Sequence, residues 1–137
     1  MISSRTYYHL AVGVVIILCA GLAASTMCRA ADDNDQFLVW GVGGSSCNTY
    51  LDARAANGAK QESFTSYLMG YITAYNVLVP NTYNIAGDMK ADQMLLWLDG
   101  YCDDHKTGSF ETAVHDLTAT IAKKRQKSAE DTPARWP

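Results

Sequence analysis

The sequence of 137 residues shows no strand-like alternation of polar and apolar residues and no internal repeat. It also contains neither Cys-x-x-Cys nor Gly-x-Ser-x-Gly, the motifs of redox-active thiols and of a serine nucleophile on a strained turn. No comparable motif positions serine, histidine and aspartate for nucleophilic attack. We therefore expect an all-α protein that is not an enzyme.

The chain lacks an apolar run long enough to span a membrane. The run from Leu10 to Ala24 has about 15 residues, whereas a spanning helix needs about 20. Arg5 precedes this run and Ala30 follows it, which is the pattern of a signal peptide with a cleavage site. We expect residues 1–30 to be removed during export to the periplasm, which leaves no stable membrane anchor. An uncleaved single-pass anchor is the alternative.

Positive charge is scarce in the part that remains after cleavage. A mature chain beginning at Ala31 would have 107 residues, with nine lysines and arginines against fourteen aspartates and glutamates. Its net charge is −5 with histidine neutral. We expect no nucleic acid partner, because nucleic acid binding depends on basic residues that neutralise phosphates.

Cysteine is equally scarce, because the mature chain keeps only Cys47 and Cys102 once Cys19 and Cys28 leave with the signal peptide. Two cysteines in an exported protein usually form one disulfide. Closing a loop of 55 residues would stabilise the folded chain by about 4 kcal/mol, a large share for so small a domain. We predict a structural disulfide between Cys47 and Cys102.

The predicted organisation of the mature chain has three parts. Residues 31–44 form a flexible acidic lead and an apolar arm, which runs from Phe37 to Val42 among glycines. The arm either lies across the core or forms a subunit contact. Residues 45–122 form a small disulfide-pinned bundle of four short helices, and residues 123–137 form a disordered tail.

Helical periodicity marks four segments in the bundle, and the predicted N-caps of the first, third and fourth are Ser45 or Ser46, Asp88 and Ser109. The predicted helices run from Cys47 to Asn57, from Phe64 to Val79, from Asp88 to Lys106 and from Ser109 to Ile121. In the first helix, Cys47, Leu51 and Ala55 share the predicted inward face. In the third, Cys102 points inward with the leucines.

Two histidines and three aspartates form the one local cluster that suggests a metal site or a general acid and base. These residues are His105, His115, Asp103, Asp104 and Asp116. A histidine at a helix end is favoured by the helix dipole, and His115 falls on the outward face of the fourth helix. We therefore predict capping or solvated roles for them, with no catalytic residue, no metal and no cofactor.

Aromatic and aliphatic residues supply the candidate protein-binding surface. Tyr67, Tyr71 and Tyr75 form a stripe at helical spacing, which either packs in the core or faces a partner. The residues that we predict to bind other proteins are Phe37, Leu38, Val39, Trp40, Tyr71 and Tyr75.

Four short motifs carry a resemblance to a known family. They are Ser46-Cys47-x-x-Tyr50-Leu51, Tyr67-Leu68-x-Gly70-Tyr71, Trp97-Leu98-x-x-Tyr101-Cys102 and Phe110-x-x-Ala113-Val114. This layout resembles the HdeA/HdeB-type periplasmic acid-stress chaperones, which are small helical proteins with one disulfide joining early and late helices.

The resemblance implies a folded, inactive homodimer at neutral pH that partly opens in acid and binds unfolding periplasmic proteins. Below about pH 3 most carboxylates are protonated, and the mature chain would carry a charge of about +12. Self-repulsion of that size would loosen a small dimer and expose apolar surface.

A second family looks similar in the same respects. The small periplasmic immunity proteins that neutralise peptidoglycan amidase effectors of type VI secretion also carry a Gly-Tyr-Ile helix between paired cysteines, like Gly70-Tyr71-Ile72. That resemblance implies a preformed surface that inhibits a cell-wall hydrolase at neutral pH. An envelope structural protein without a client is the third possibility.

Overall fold

The computed structural model describes residues 31–32, 34 and 36–131, so the predicted signal peptide lies outside the described residues. The chain divides into two compact units, one reaching to Phe37 and the other beginning at Leu38. In the first unit, the Asp32 carboxylate accepts hydrogen bonds from the backbone amides of Asn34 and Gln36 at 2.9 and 2.8 Å. This aspartate closes a local turn just before the apolar arm.

The second unit contains four helices, and residues 36–131 contain no β-strand beyond two isolated bridges. The helices are α1 (Cys47–Ala56), α2 (Ala59–Leu78), α3 (Ala91–Asp104) and α4 (Phe110–Ile121). The all-α prediction is confirmed. Among the helices of the described residues, none combines the length and the apolar character needed to cross a bilayer.

Serine caps begin α1 and α4, as the sequence predicts. The Ser46 hydroxyl accepts from the Thr49 amide at 3.2 Å, and the Ser109 hydroxyl accepts from the Thr112 amide at 3.1 Å. Asn57 ends α1 in the left-handed conformation with φ of 48°. Asparagine tolerates this conformation better than other residues that have a Cβ.

The starts of α2 and α3 differ from the prediction. Helix α2 begins at Ala59 rather than Phe64, because its first turn is polar and exposed and so adds nothing to the apolar periodicity. Helix α3 begins at Ala91, where the amide of Lys90 donates to Gln93 Oε1 at 2.9 Å. Asp88, the predicted cap, instead accepts a hydrogen bond from Gln126 Nε2 at 3.4 Å.

Helices α1 and α4 lie in the middle of the bundle, and each packs against the other three helices. Three fully buried rings fill the space between them and α2: Tyr50, Phe64 and Phe110. Their centroids lie 4.7 to 5.4 Å apart in stacked and edge-to-face pairs. These are the favoured geometries of aromatic pairs, so the rings fix how the three helices pack.

The beginnings of α1 and α4 are joined through their backbones. The amide of Cys47 donates to the Gly108 carbonyl and the amide of Phe110 donates to the Ser45 carbonyl, each at 2.8 Å. These bonds satisfy amides that a helix N-terminus leaves without a partner. They also hold the two central helices in register.

The disulfide between Cys47 and Cys102 is present and joins the start of α1 to the end of α3. Both cysteines are fully buried, and the bond closes a loop of 55 residues. The predicted pairing is confirmed. Without the bond, bringing these two helices together costs the closure entropy of the 55-residue segment between them.

The segment after α4 contains two 3₁₀ turns, Ala122–Lys124 and Ala129–Asp131, and includes the first part of the predicted tail. Gln126 is buried, and it exchanges backbone hydrogen bonds with Asn84 at 2.9 and 3.2 Å. A Cβ at Gly87 would lie 2.5 Å from the Lys124 carbonyl oxygen, so the loop before α3 fits closely on this segment. Residues 132–137 of the predicted tail lie outside the described residues.

We predict that reducing the disulfide lowers the free energy of unfolding by about 4 kcal/mol, because the unfolded chain regains the entropy of the open loop. Urea denaturation of the mature chain with and without reductant measures the difference. The double variant Cys47→Ala/Cys102→Ala is the control, since reductant should not change its midpoint. A difference below about 1 kcal/mol in the native chain would contradict the prediction.

Candidate protein-binding surface

The apolar arm projects its large side chains into solvent. In the second unit, Leu38 and Trp40 are 74% and 78% exposed, and Val39 is half-buried. Phe37, described in the first unit, is 63% exposed. The sequence predicted that the arm either lies across the core or forms a subunit contact. Leu38 and Trp40 do not pack on the core of the bundle. The subunit contact stays a prediction.

The turn Gly41–Gly44, which includes the last two residues of the arm, is the part that packs on the bundle. Gly43 is buried, and a Cβ at this position would overlap the ring of Tyr67 on α2. Gly44 has open space around the same position, and Val42 packs partly against the core. The glycine at 43 therefore lets the backbone lie directly on an aromatic ring, which fixes where the exposed arm leaves the bundle.

The tyrosine stripe of α2 lies along the contact between α2 and α4. The ring centroids of Tyr71 and Tyr75 are 5.4 Å apart, and the Tyr71 hydroxyl lies 3.4 Å from both Glu111 Oε1 and His115 Nδ1. Burial, followed by the nearby Tyr75 and Glu111, raises the pKa of Tyr71. Tyr71 and Tyr75 are half-buried, so they contribute to packing and offer less surface to a partner than the arm does.

Further exposed apolar side chains escaped the sequence prediction. Val77 and Leu78 at the end of α2 are 77% and 76% exposed, Tyr83 in the next loop is half exposed, and Leu96 projects from α3. The periodicity of α2 predicts an apolar face through Val79 but does not show that its last turn extends beyond the core. When the last turn of a helix has no helix packed against it, its apolar residues stay exposed to water. Exposed apolar patches are typical of interaction sites.

Three side chains form a polar clamp between α1 and α3: Tyr50, Arg54 and Asp99. The Arg54 guanidinium donates two hydrogen bonds to the Asp99 carboxylate, at 2.8 and 2.7 Å. The Tyr50 hydroxyl donates to the same carboxylate at 2.7 Å. Bidentate arginine–carboxylate pairs are strong because two parallel N–H···O hydrogen bonds join groups of opposite charge. The clamp therefore joins the helix pair that the disulfide also joins.

The charges of the clamp shift the titration of its members. Burial raises the pKa of the Asp99 carboxyl, but the hydrogen bonds from Arg54 and Tyr50 outweigh it, and the net pKa lies below its usual value. Burial and the hydrogen bond to Asp99 raise the pKa of Tyr50. The clamp is therefore intact at neutral pH and is lost when acid protonates Asp99.

The predicted histidine and aspartate cluster is divided among separate contacts. His105 Nδ1 lies 2.8 Å from the Tyr101 carbonyl at the end of α3, where it caps the helix. His115 faces Tyr71 on α2, and Asp116 accepts a hydrogen bond from the Tyr101 hydroxyl at 2.8 Å. Among the residues that the structure describes, no group of three or more His, Cys, Asp or Glu side chains is arranged to hold a metal ion.

Comparison with known proteins found no matching family model, no matching curated protein and no matching solved structure.

We predict that Gly43→Ala destabilises the protein by about 1 to 3 kcal/mol, because the new methyl group forces the turn away from the Tyr67 ring. Thermal and urea unfolding measure the effect. Gly44→Ala is the matched control, since it adds the same group one residue away where there is space. Equal effects of the two substitutions would show that the close approach to Tyr67 does not matter.

We predict that Asp99→Asn lowers the free energy of unfolding at pH 7 by about 1 to 2 kcal/mol, because Arg54 loses its carboxylate. The folded pKa of Asp99 is depressed, so its contribution is complete above the unfolded pKa, near 4. It disappears as pH falls through the folded pKa. Urea denaturation of both proteins from pH 7 to pH 2 should show this convergence.

Asp103→Asn is the control for that series, because Asp103 forms an exposed pair with Lys106 at 3.4 Å. Exposed pairs of this kind contribute little, and we expect no measurable change. A stability difference between the native and Asp99→Asn proteins that stayed constant down to pH 2 would contradict the assigned role of the clamp.

Proposed function

We propose that the mature chain is a periplasmic protein that binds unfolding proteins through exposed apolar side chains, and that acid strengthens this binding. It would act as a chaperone of the HdeA/HdeB type, the family that its motifs resemble. The observation that carries the proposal is the exposure of Leu38 and Trp40 beside a turn that is fixed on the bundle.

Exposed apolar residues at one place support binding to other proteins. Leu38 and Trp40 lie two residues apart in an extended arm, and neither packs on the core. Folded proteins rarely leave such residues together in water unless another molecule covers them. At neutral pH a second copy of the chain would cover the arm, and in acid an unfolding client would replace that copy.

The distribution of acid-sensitive contacts supports the proposed response to pH. Protonation of Asp99 removes the ionic part of the polar clamp, but the Cys47–Cys102 disulfide does not titrate and keeps α1 joined to α3. Helix α2 has no such covalent link, and the carboxylate of Glu111 is near its Tyr71 hydroxyl. Acid should therefore loosen α2 and the arm while the α1–α3 pair persists.

The change in net charge acts in the same direction. The mature chain passes from a charge of −5 at neutral pH to about +12 below about pH 3. Repulsion between like charges opposes both the dimer and the most compact form of the bundle. The same charge would keep a complex with a client soluble.

A second candidate function is inhibition of a cell-wall hydrolase, as in the type VI immunity proteins. The observation that favours it is that Leu38 and Trp40 are exposed in the compact fold, before any opening by acid. An inhibitor would use this preformed surface at neutral pH. The two candidates therefore differ in the pH at which the arm acts.

We predict that the purified mature chain, with its disulfide intact, suppresses the aggregation of malate dehydrogenase below about pH 3 and not at pH 7. Light scattering measures aggregation, and size-exclusion chromatography follows dissociation of the dimer over the same pH range. The double variant Leu38→Ser/Trp40→Ser should lose most of the protection, because the apolar contacts to the client are gone.

Leu96→Ser is the matched control, since it removes an exposed apolar side chain from α3 instead of the arm. It should protect the client as well as the native chain does. Failure of the native chain to suppress aggregation in acid would overturn the chaperone proposal. Tight inhibition of a peptidoglycan amidase at pH 7, lost in the double variant, would establish the second candidate in its place.

A further inference from the structure

A groove of 470 Å³ lies between α3 and α4. Its walls combine aromatic side chains from α3 with polar side chains from α4 and the turn that follows. The lining residues are Trp97, Tyr101, Asp116, Ala119, Thr120 and Lys123. We refer to it as the α3–α4 groove.

The aromatic wall is a column of stacked rings. Trp97 stacks on Tyr101 with centroids 5.3 Å apart, and Tyr101 stacks on His105 at 4.3 Å, with each pair within 20° of parallel. The hydrogen bond from the Tyr101 hydroxyl to Asp116 anchors the column to α4. Trp97 is the end of the column, and no other ring of residues 36–131 stacks on the second face of its indole.

Three polar groups of the groove are available to hydrogen-bond a ligand: one oxygen of Asp116, the Lys123 ammonium and the Trp97 indole N–H. Asp116 uses Oδ2 for Tyr101, while Oδ1 has no hydrogen bond within residues 36–131. Over the same residues, the Lys123 ammonium forms no ion pair and the Trp97 indole N–H has no acceptor. The groove thus offers two donors and one acceptor beside a flat apolar face.

This set of groups excludes several classes of ligand. A metal ion would meet a single carboxylate, and a phosphate would meet that carboxylate as well as one lysine. A purely apolar ligand would remove Asp116 and Lys123 from water without giving them partners, which is costly. A ligand with an apolar face and with both hydrogen-bond donors and acceptors at its edge would give each of these groups a partner.

We propose that the α3–α4 groove binds an oligosaccharide of acetylated amino sugars. The apolar face of a pyranose ring packs on the indole of Trp97. The acetamido group accepts from the indole N–H or the Lys123 ammonium through its carbonyl, and its N–H or a ring hydroxyl donates to Asp116 Oδ1. This function is separate from client binding and does not depend on it.

The length of the groove matches a short oligosaccharide. Asp116 on α4 and Lys123 in the turn that follows are seven residues apart, which is about two helical turns and corresponds to about 10 Å along the axis. That distance accommodates about two sugar rings. Thr120, between them, donates to the Asp116 carbonyl at 2.8 Å, so its oxygen can still accept from a sugar hydroxyl.

A saccharide suits the groove better than a peptide does. Extended peptides are recognised by a strand edge that pairs with their backbone or by deep pockets for alternate side chains. The donors and the acceptor described above belong to side chains, and neither α3 nor α4 offers a strand edge. A peptide is the competing occupant that the experiment must distinguish.

The test is a titration of the mature, disulfide-bonded chain with chitotetraose, followed by the indole N–H signals in NMR spectra. Cellotetraose, which has hydroxyls in place of the acetamido groups, and tetra-alanine are titrated in parallel. We expect saturable binding of chitotetraose that shifts the Trp97 signal and leaves the Trp40 signal in place. Cellotetraose should bind more weakly, and tetra-alanine should not bind.

Three variants locate the site. Lys123→Gln and Asp116→Asn should each weaken chitotetraose binding about tenfold, because each removes one charge-assisted hydrogen bond. Trp97→Phe should weaken it similarly through a smaller stacking surface, and circular dichroism checks that each variant remains folded. Lys124→Gln is the control, since Lys124 is exposed and does not line the groove. Its affinity should equal that of the native chain.

Several results would overturn the proposal. They are absence of binding to chitotetraose, binding that the three groove variants do not change, and a Trp97 shift produced by tetra-alanine and not by the saccharide. None of these results depends on chaperone activity, so failure here and failure of the proposed function are distinguishable.

Discussion

The structure depends on the way α1 is held against α3. The Cys47–Cys102 disulfide joins the start of one helix to the end of the other, and the Arg54–Asp99 pair joins them again. Tyr50 belongs to this junction through its hydroxyl and to the buried aromatic trio through its ring. The polar clamp therefore connects directly to the packing of α2 and α4. For a chain of this size, one covalent link between distant segments contributes about 4 kcal/mol, which is a large share of the net stability of a small domain.

This junction combines a contact that acid removes with a bond that acid leaves intact. Loss of the Asp99 charge weakens the clamp, but the disulfide keeps α1 and α3 together. A protein built in this way loosens without losing its connectivity, which suits binding in acid followed by recovery at neutral pH. The exposed Leu38 and Trp40 precede the turn that lies on Tyr67 of α2, so the proposed loosening of α2 in acid would free the arm from the bundle.

Much of the fold could be predicted from local signals in the sequence. Serine caps and helical periodicity predicted four helices, because each of these signals depends on neighbouring residues. The disulfide was predicted because only two cysteines follow residue 30. The predicted inward face of α1 was right for Cys47 and partly for Leu51, which packs against the core, and wrong for Ala55, which is exposed. Tyr50 is fully buried and was not predicted. A buried tyrosine needs an acceptor for its hydroxyl group. For Tyr50 that acceptor is the Asp99 carboxylate, which lies 49 residues away in the sequence. Burial of Gln126 against Asn84 escaped prediction for the same reason.

Hydrogen exchange followed by mass spectrometry tests the central claim most directly. The disulfide-bonded chain is compared at pH 7 and at about pH 3, with rates corrected for the intrinsic effect of pH. The account predicts that amides of α1 and α3 stay protected in acid, while those of α2 and of the turn at Gly41–Gly44 lose protection. Equal loss of protection in all four helices, or unchanged protection throughout, would contradict it.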